Sequence, residues 1–258
     1  LLLLPLLLAV ALGATLPCAG CRTEPDAEEG GEGEGEGEGE GEGEGEGEGD
    51  DPCTIQWVEL AGGSFRMGSG AVDVDRNEQP VHEVTVPPFA IMRTKVTGCM
   101  IRRCLDAGRC QDFPDDLRDL PDWVGYIRVA DMPEVAAWVG GGARLCSEAE
   151  WEFAARSGGL PFRYPWGNFP PTCAQLPLPE FCEPVECPTE ECAPCSWPDY
   201  NTQQGVCNLV NEYVADTYHA NYRGAPLDGS AWIDNGWAHR VLRGVSWGDP
   251  RVSSRWEG

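Results

Sequence analysis

From Gly31 to Gly49 glycine and glutamate alternate without a break, and no fold can be built from that stretch. Glycine gives the backbone its widest freedom, the like charges repel one another, and no side chain is able to enter a core. The repeat therefore divides the chain. An apolar leader precedes it, and about 207 residues follow it, enough for one domain with a real hydrophobic core. The resulting division is an export signal over residues 1–21, an extended acidic linker over 22–52 and a folded domain over 53–258.

Residues 22–51 hold 15 acids against Arg22 alone, and the rest of the chain still carries −11 of the formal −25. A surface this acidic repels phosphate backbones and excludes nucleic acid as a partner. The leader, Leu1 to Leu16, is too short for a membrane span and suits the apolar core of an export signal. It ends in P-C-A-G-C. Ala19 and Gly20 before Cys21 resemble the small residues that precede a lipidated cysteine in a bacterial lipobox, although Cys18 stands where leucine is usual. Lipid on Cys21 would tether the domain to a membrane of the cell envelope (outer membrane or periplasm), with the acidic linker as spacer. The other reading is an ordinary signal cut near Ala19, which gives a secreted protein.

Eleven of the thirteen cysteines fall between Cys53 and Cys207. In an exported chain that density favours disulfides over metal binding. The number is odd, so one thiol is free or has a partner beyond these 258 residues. With no initiator Met and an abrupt stop at Gly258, the sequence reads as a piece of a longer one.

Past Cys53 the patterning predicts short strands, modest helices and long loops, an α+β fold. Ile55–Leu60 and Ser64–Met67 read as strands joined by Ala61-Gly62-Gly63 into a hairpin, and His82–Val86 alternates as a third strand. Thr97 caps a helix that runs to about Ala107, with Gly108 as its stop; Cys104 and Cys110 flank that stop and could close a disulfide loop. A second helix is expected over Pro133–Val139, with Asp131 near its N-cap. Ser147-Glu148-Ala149-Glu150 is a capping box opening a third, on which Trp151, Ala154 and Ala155 form an apolar stripe. Residues 159–206 are loop-rich. Cys173, Cys182, Cys187, Cys192 and Cys195 in that region read as disulfide staples, since zinc would call for two C-x2-C pairs and only one is present. Arg240 onward alternates as a closing strand.

Several of these segments together resemble the sulfatase-modifying factor family, the formylglycine-generating-enzyme-like domain with its C-type-lectin-like fold. The matching stretches are G-G-S-F-R-M-G-S (Gly62 to Ser69), E-Q-P-V-H-E-V-T-V (Glu78 to Val86), Lys95-Val96-Thr97, R-L-C-S-E-A-E-W-E-F-A-A-R (Arg144 to Arg156), Y-P-W-G-N (Tyr164 to Asn168) and R-V-L-R-G-V-S-W (Arg240 to Trp247). Cys146-Ser147 replaces the family's Pro-Thr. The resemblance implies an α+β, loop-rich, disulfide-containing domain whose catalytic branch binds copper(I) with two cysteines and oxidises a substrate cysteine to formylglycine. Those two positions fall on Asp249 and Ser254 here, with Ser246 left as a cleft candidate. A carboxylate and a hydroxyl do not suit a soft ion, so copper is not expected. In the stretch where the family binds calcium, Glu212 and Asp216 survive as hard oxygen donors; they are either calcium ligands or ordinary surface and ion-pair residues.

Two function classes follow. The first is an extracytoplasmic binding or scaffold module that holds a protein, peptide or glycan, with the late Trp232, Trp237 and Trp247 either lining a cleft or packed in the core. The second is a formylglycine-generating or divergent oxidase. A relative of the ergothioneine-synthase kind would need a His-rich helical domain, and the chain has three histidines in all.

Overall fold

The computed structural model describes residues 20–23, 53–71, 75–110, 127–170, 211–234, 239–244 and 251–257. The strands are β1 (Gly20–Arg22), β2 (Trp57–Leu60), β3 (Gly63–Met67), β4 (His82–Val86), β5 (Phe89–Met92), β6 (Arg144–Leu145), β7 (Glu212–Thr217), β8 (Arg240–Arg243) and β9 (Arg255–Glu257). The helices are α1 (Gly98–Asp106), α2 (Met132–Val139) and α3 (Glu148–Ala155). Three small antiparallel sheets result, ordered β2-β5-β1-β6, β3-β4 and β7-β8-β9.

Alternation builds β3 and β4. Phe65, Met67, Val84 and Val86 turn inward while Ser64, Arg66, Glu83 and Thr85 face solvent, with Phe65 opposite Val84. The hairpin expected between the first two strands is not formed. β2 pairs with β5 instead, so Ala61–Gly63 is a corner that carries the chain from one sheet to the next. Gly62 makes the corner possible. Its φ is +69°, and a side chain there would collide with the carbonyls of Val86 and Pro87. β5 escapes sequence reading because it is buried along its whole length and has no alternation to detect.

The helices follow their end signals. Thr97 Oγ1 accepts from the Met100 N–H at 3.2 Å, and Gly108 takes a positive φ past the end of α1. Cys104 and Cys110 are disulfide-bonded around that end, as expected, and Cys53–Cys99 fixes α1 to the start of the domain. Asp131 stands at the N-cap of α2, but its carboxylate goes to Arg128 rather than to a helix N–H. On α3 the capping box is complete: Ser147 Oγ accepts from Glu150 N at 3.1 Å and Glu150 Oε2 from Ser147 N at 2.8 Å. The expected stripe on α3 is too narrow a description. Phe153 and Ala149 are buried beside Trp151 and Ala155, and so are Glu148, Glu150 and Glu152.

The structure departs most from the sequence reading at the leader. Gly20–Arg22, assigned there to the end of the lipobox and the first linker residue, is a strand in the middle of the four-stranded sheet, and Cys21 is disulfide-bonded to Cys146. One sulfur cannot hold both a disulfide and a lipid thioether, so the lipid reading and this bond exclude each other. Cys146 therefore pairs outside the group of eleven, which leaves ten in it. Cys173, Cys182, Cys187, Cys192 and Cys195 lie outside the described residues, so their expected staples are not seen.

Ser147 has a second task, since its hydroxyl donates to the buried Gly229 carbonyl at 2.7 Å. Ser147→Ala removes a cap and orphans that oxygen; the expected loss in a urea titration is about 2 kcal/mol at unchanged slope.

Candidate functional site

α3 carries acids on a surface that its packing turns inward, and the last two strands answer with arginines. Arg243 shares a face of β8 with the fully buried Val241, so its guanidinium enters the core. There it meets Glu148 Oε1 at 3.0 Å and Glu152 Oε2 at 2.7 Å, and it lies over the Trp151 ring at 4.9 Å. It also donates to the Val252 carbonyl at 2.6 Å, which ties the approach to β9 onto β8. Arg255 enters from β9. Its Nη2 donates to Glu148 Oε2 at 2.9 Å, its Nη1 to the carbonyls of Asn77 and His219 at 3.0 and 2.9 Å, and its guanidinium covers the Tyr222 ring at 4.5 Å. Glu152 Oε1 accepts from Arg156 Nε at 2.8 Å and from the Gly68 N–H at 2.9 Å.

The electrostatics follow from this closure. Burial works against ionisation of Glu152, but Arg156 and Arg243 outweigh it and hold the carboxyl below its usual range. Burial and the neighbouring Glu148 push the Tyr222 hydroxyl well up; that hydroxyl donates to Glu148 Oε1 at 3.0 Å. Arg243 is buried, yet Tyr222, Glu152 and Glu148 keep it firmly charged. Such a network holds elements together. It contains no nucleophile and no open coordination position.

Ser254, at one of the two expected copper positions, is buried in the turn before β9, with its N–H on the Arg251 carbonyl at 3.1 Å. Asp249 and Ser246 lie outside the described residues. A hydroxyl in that turn and a carboxylate do not fit copper(I), which selects thiolates.

Glu212 and Asp216 have different partners. Glu212 Oε1 lies 3.4 Å from Lys95 Nζ and accepts from Trp151 Nε1 at 3.4 Å. Asp216 instead takes the N–H groups of Glu148 and Trp232 at 2.6 and 2.8 Å, one of them at the start of α3. Glu212 Oε2 and the adjacent Asn211 Oδ1 are buried without hydrogen-bond partners. Two oxygens fall short of the six to eight that calcium takes, and among the described residues no three His, Cys, Asp or Glu side chains gather for a metal. In this structure Asp216 caps the start of α3.

Sequence reading found the cap on α3 and missed the network. The signal available was Arg243 itself, a charge at a core position of an alternating strand, together with the acids at 148 and 152, four apart on one helix. Of the late tryptophans, Trp232 has one face stacked on His219, at a centroid distance of 3.5 Å, while Trp237 and Trp247 lie outside the described residues. Elsewhere on the surface a groove of about 900 Å³ runs between α2, β6 and the 228–233 loop, lined by Val129, Met132, Ala136, Leu145 and Ile233 among others.

A small α+β scaffold with a closed Glu–Arg core defines the class of protein. The family model for the sulfatase-modifying factor enzyme 1-like domain matches residues 50–257, and the chain belongs to that family. It is 29% identical over 246 residues to the inactive C-alpha-formylglycine-generating enzyme 2 of Bos taurus, covering 76% of this chain and 77% of that one. It is 30% identical over 167 residues to the formylglycine-generating enzyme of Mycobacterium tuberculosis, covering 43% and 54% of the two chains. Among solved structures, PvdO from Pseudomonas aeruginosa matches with a TM-score of 0.57 at 26% identity, over 81% of this chain and 94% of that one. The expected formylglycine-generating-enzyme-like fold is thereby shown.

Asp216 gives the site a pH signature. Burial, and then Glu148, raise its carboxyl from 3.8 to about 7. The folded state therefore holds a proton that the unfolded state has released, and the stability this contributes is present below 3.8 and lost as pH rises through about 7. The melting temperature of wild type should fall relative to that of Asp216→Asn between pH 4 and pH 8, because only wild type loses this contribution; parallel curves would contradict it.

Proposed function

We propose that this chain is an exported binding or scaffold module that keeps the fold of its family without formylglycine-forming oxidation. One observation carries the reading: the two places where the family's catalytic branch sets copper-binding thiolates hold Asp249 and Ser254. The nucleophilic and redox chemistry of that branch rests on thiolates, and substitution by oxygen ligands removes it. The similarity to a relative named inactive supports the same reading.

Export is supported by the leader and by three disulfides, which persist in oxidising compartments. Among the described residues no helix is long and apolar enough to cross a membrane. Attachment to the envelope would run through lipid on Cys21, and in that form the Cys21–Cys146 bond is absent. The ligand is a protein, peptide or glycan segment. The apolar groove beside α2, with the exposed Leu227 and Ile233 nearby, supports an apolar contact over a sugar-stacking one.

The test is a copper(I) titration of the disulfide-bonded chain, with oxygen consumption followed in the presence of a cysteine-containing sulfatase peptide. Neither stoichiometric tight binding nor turnover is expected. Tight binding with turnover would establish the oxidase reading instead. Lipid-precursor labelling of cells making wild type or Cys21→Ser tests the anchor separately; label that persists in the variant would rule Cys21 out.

A further inference from the structure

The strand at the centre of the largest sheet comes from outside the family domain. The family match begins at residue 50, whereas β1 is Gly20–Arg22, joined to the rest through the glutamate–glycine linker. Among the described residues β1 alone connects β5 to β6: Cys21 pairs with Ile91 on one side and with Arg144 on the other. In physical terms it is a short peptide docked in a slot, held by backbone pairing on both edges.

Each of its three residues is read by a separate feature of the slot. At Gly20 a Cβ would lie 2.5 Å from Met92 Sδ, so a side chain there requires the Met92 thioether to move aside. The Cys21 sulfur is fully buried and bonded to the equally buried Cys146. Arg22 is buried to 5% exposure, with Nη2 3.2 Å from Glu59 Oε1 and the guanidinium 4.5 Å from the Trp57 ring centroid. Close approach, sulfur and cation are thus matched in order along one extended tripeptide.

We propose that the gap between β5 and β6 is a covalent capture site for an extended Gly-Cys-Arg segment of another exported protein. This deepens the binding-module reading and rests on it, because a lipidated Cys21 leaves the slot open and Cys146 unbonded. Capture is thiol–disulfide exchange: the Cys146 thiolate attacks the sulfur of a segment whose cysteine is already in a disulfide, a new S–S bond forms, and the former partner leaves as a thiolate. No external oxidant is consumed. A second copy of this chain carries the same tripeptide, so a disulfide-linked swapped dimer is the alternative occupant.

The full chain with Cys21→Ser is mixed with a Gly-Cys-Arg peptide carried as a thiopyridyl disulfide, and released thiopyridone and protein mass are followed. One peptide per chain on Cys146 is expected, about tenfold faster than for the reversed Arg-Cys-Gly order or for a Val-Cys-Arg peptide. Equal rates for the three peptides, or labelling only after denaturation, would overturn the proposal. A dimer of wild type linked from Cys21 to Cys146 without peptide capture would assign the slot to self-exchange and overturn it as well. Should Cys21→Ser not fold, the same peptides compete against Cys21 in the wild-type chain in a thiol–disulfide exchange buffer, with the same order of preference expected and an unchanged Cys21–Cys146 bond the contrary result. The lipid-labelling outcome is read independently, so loss of the anchor and loss of the slot are distinguishable.

Discussion

The contact between Arg243 and the two carboxylates of α3 is the constraint from which the rest of the interior follows. An arginine taken out of water is tolerable only when most of its donors are met, and here Glu148, Glu152 and the Val252 carbonyl meet those of Nη1 and Nη2, while Nε is buried without a partner. Once Arg243 is placed, Glu148 has an oxygen left for Arg255 and Glu152 one for Arg156. Helix, strands and the loop at Gly68 are thereby joined through two carboxylates. The interior is held by charge as much as by the packing of Phe65, Phe89 and Phe153 around it.

That closure bears on function. An oxidase cleft needs a soft ligand pair with an open coordination position beside it, and the described end of this region is a buried turn with Ser254 in it. On the reading proposed above, the chain keeps the fold of its family and differs from the catalytic branch at two sulfur positions.

Much of the fold was legible in local signals. The capping box at Ser147, the cap at Thr97, the stop at Gly108 and the alternation of His82–Val86 each stand where a short-range rule puts them. What escaped depends on distant partners. β5 carries no period because both its faces are covered, β2 and β3 turn a corner because Val86 and Pro87 occupy the space over Gly62, and nothing near Cys21 announces a bond to Cys146, 125 residues away. The candidate site divides the same way. The missing thiols are visible in the sequence, but the roles of Glu148, Glu152 and Asp216 appear only when helix and strands are set side by side.

The claim that buried ion pairs, rather than apolar packing alone, fasten α3 to the last strands is tested most directly by a double-mutant cycle on Glu152 and Arg243. Unfolding free energies of wild type, Glu152→Gln, Arg243→Met and the double variant give the coupling. Each single change should cost about 3–5 kcal/mol by stranding its partner, and the double should cost clearly less than their sum. Single losses near 1 kcal/mol that simply add would contradict the account.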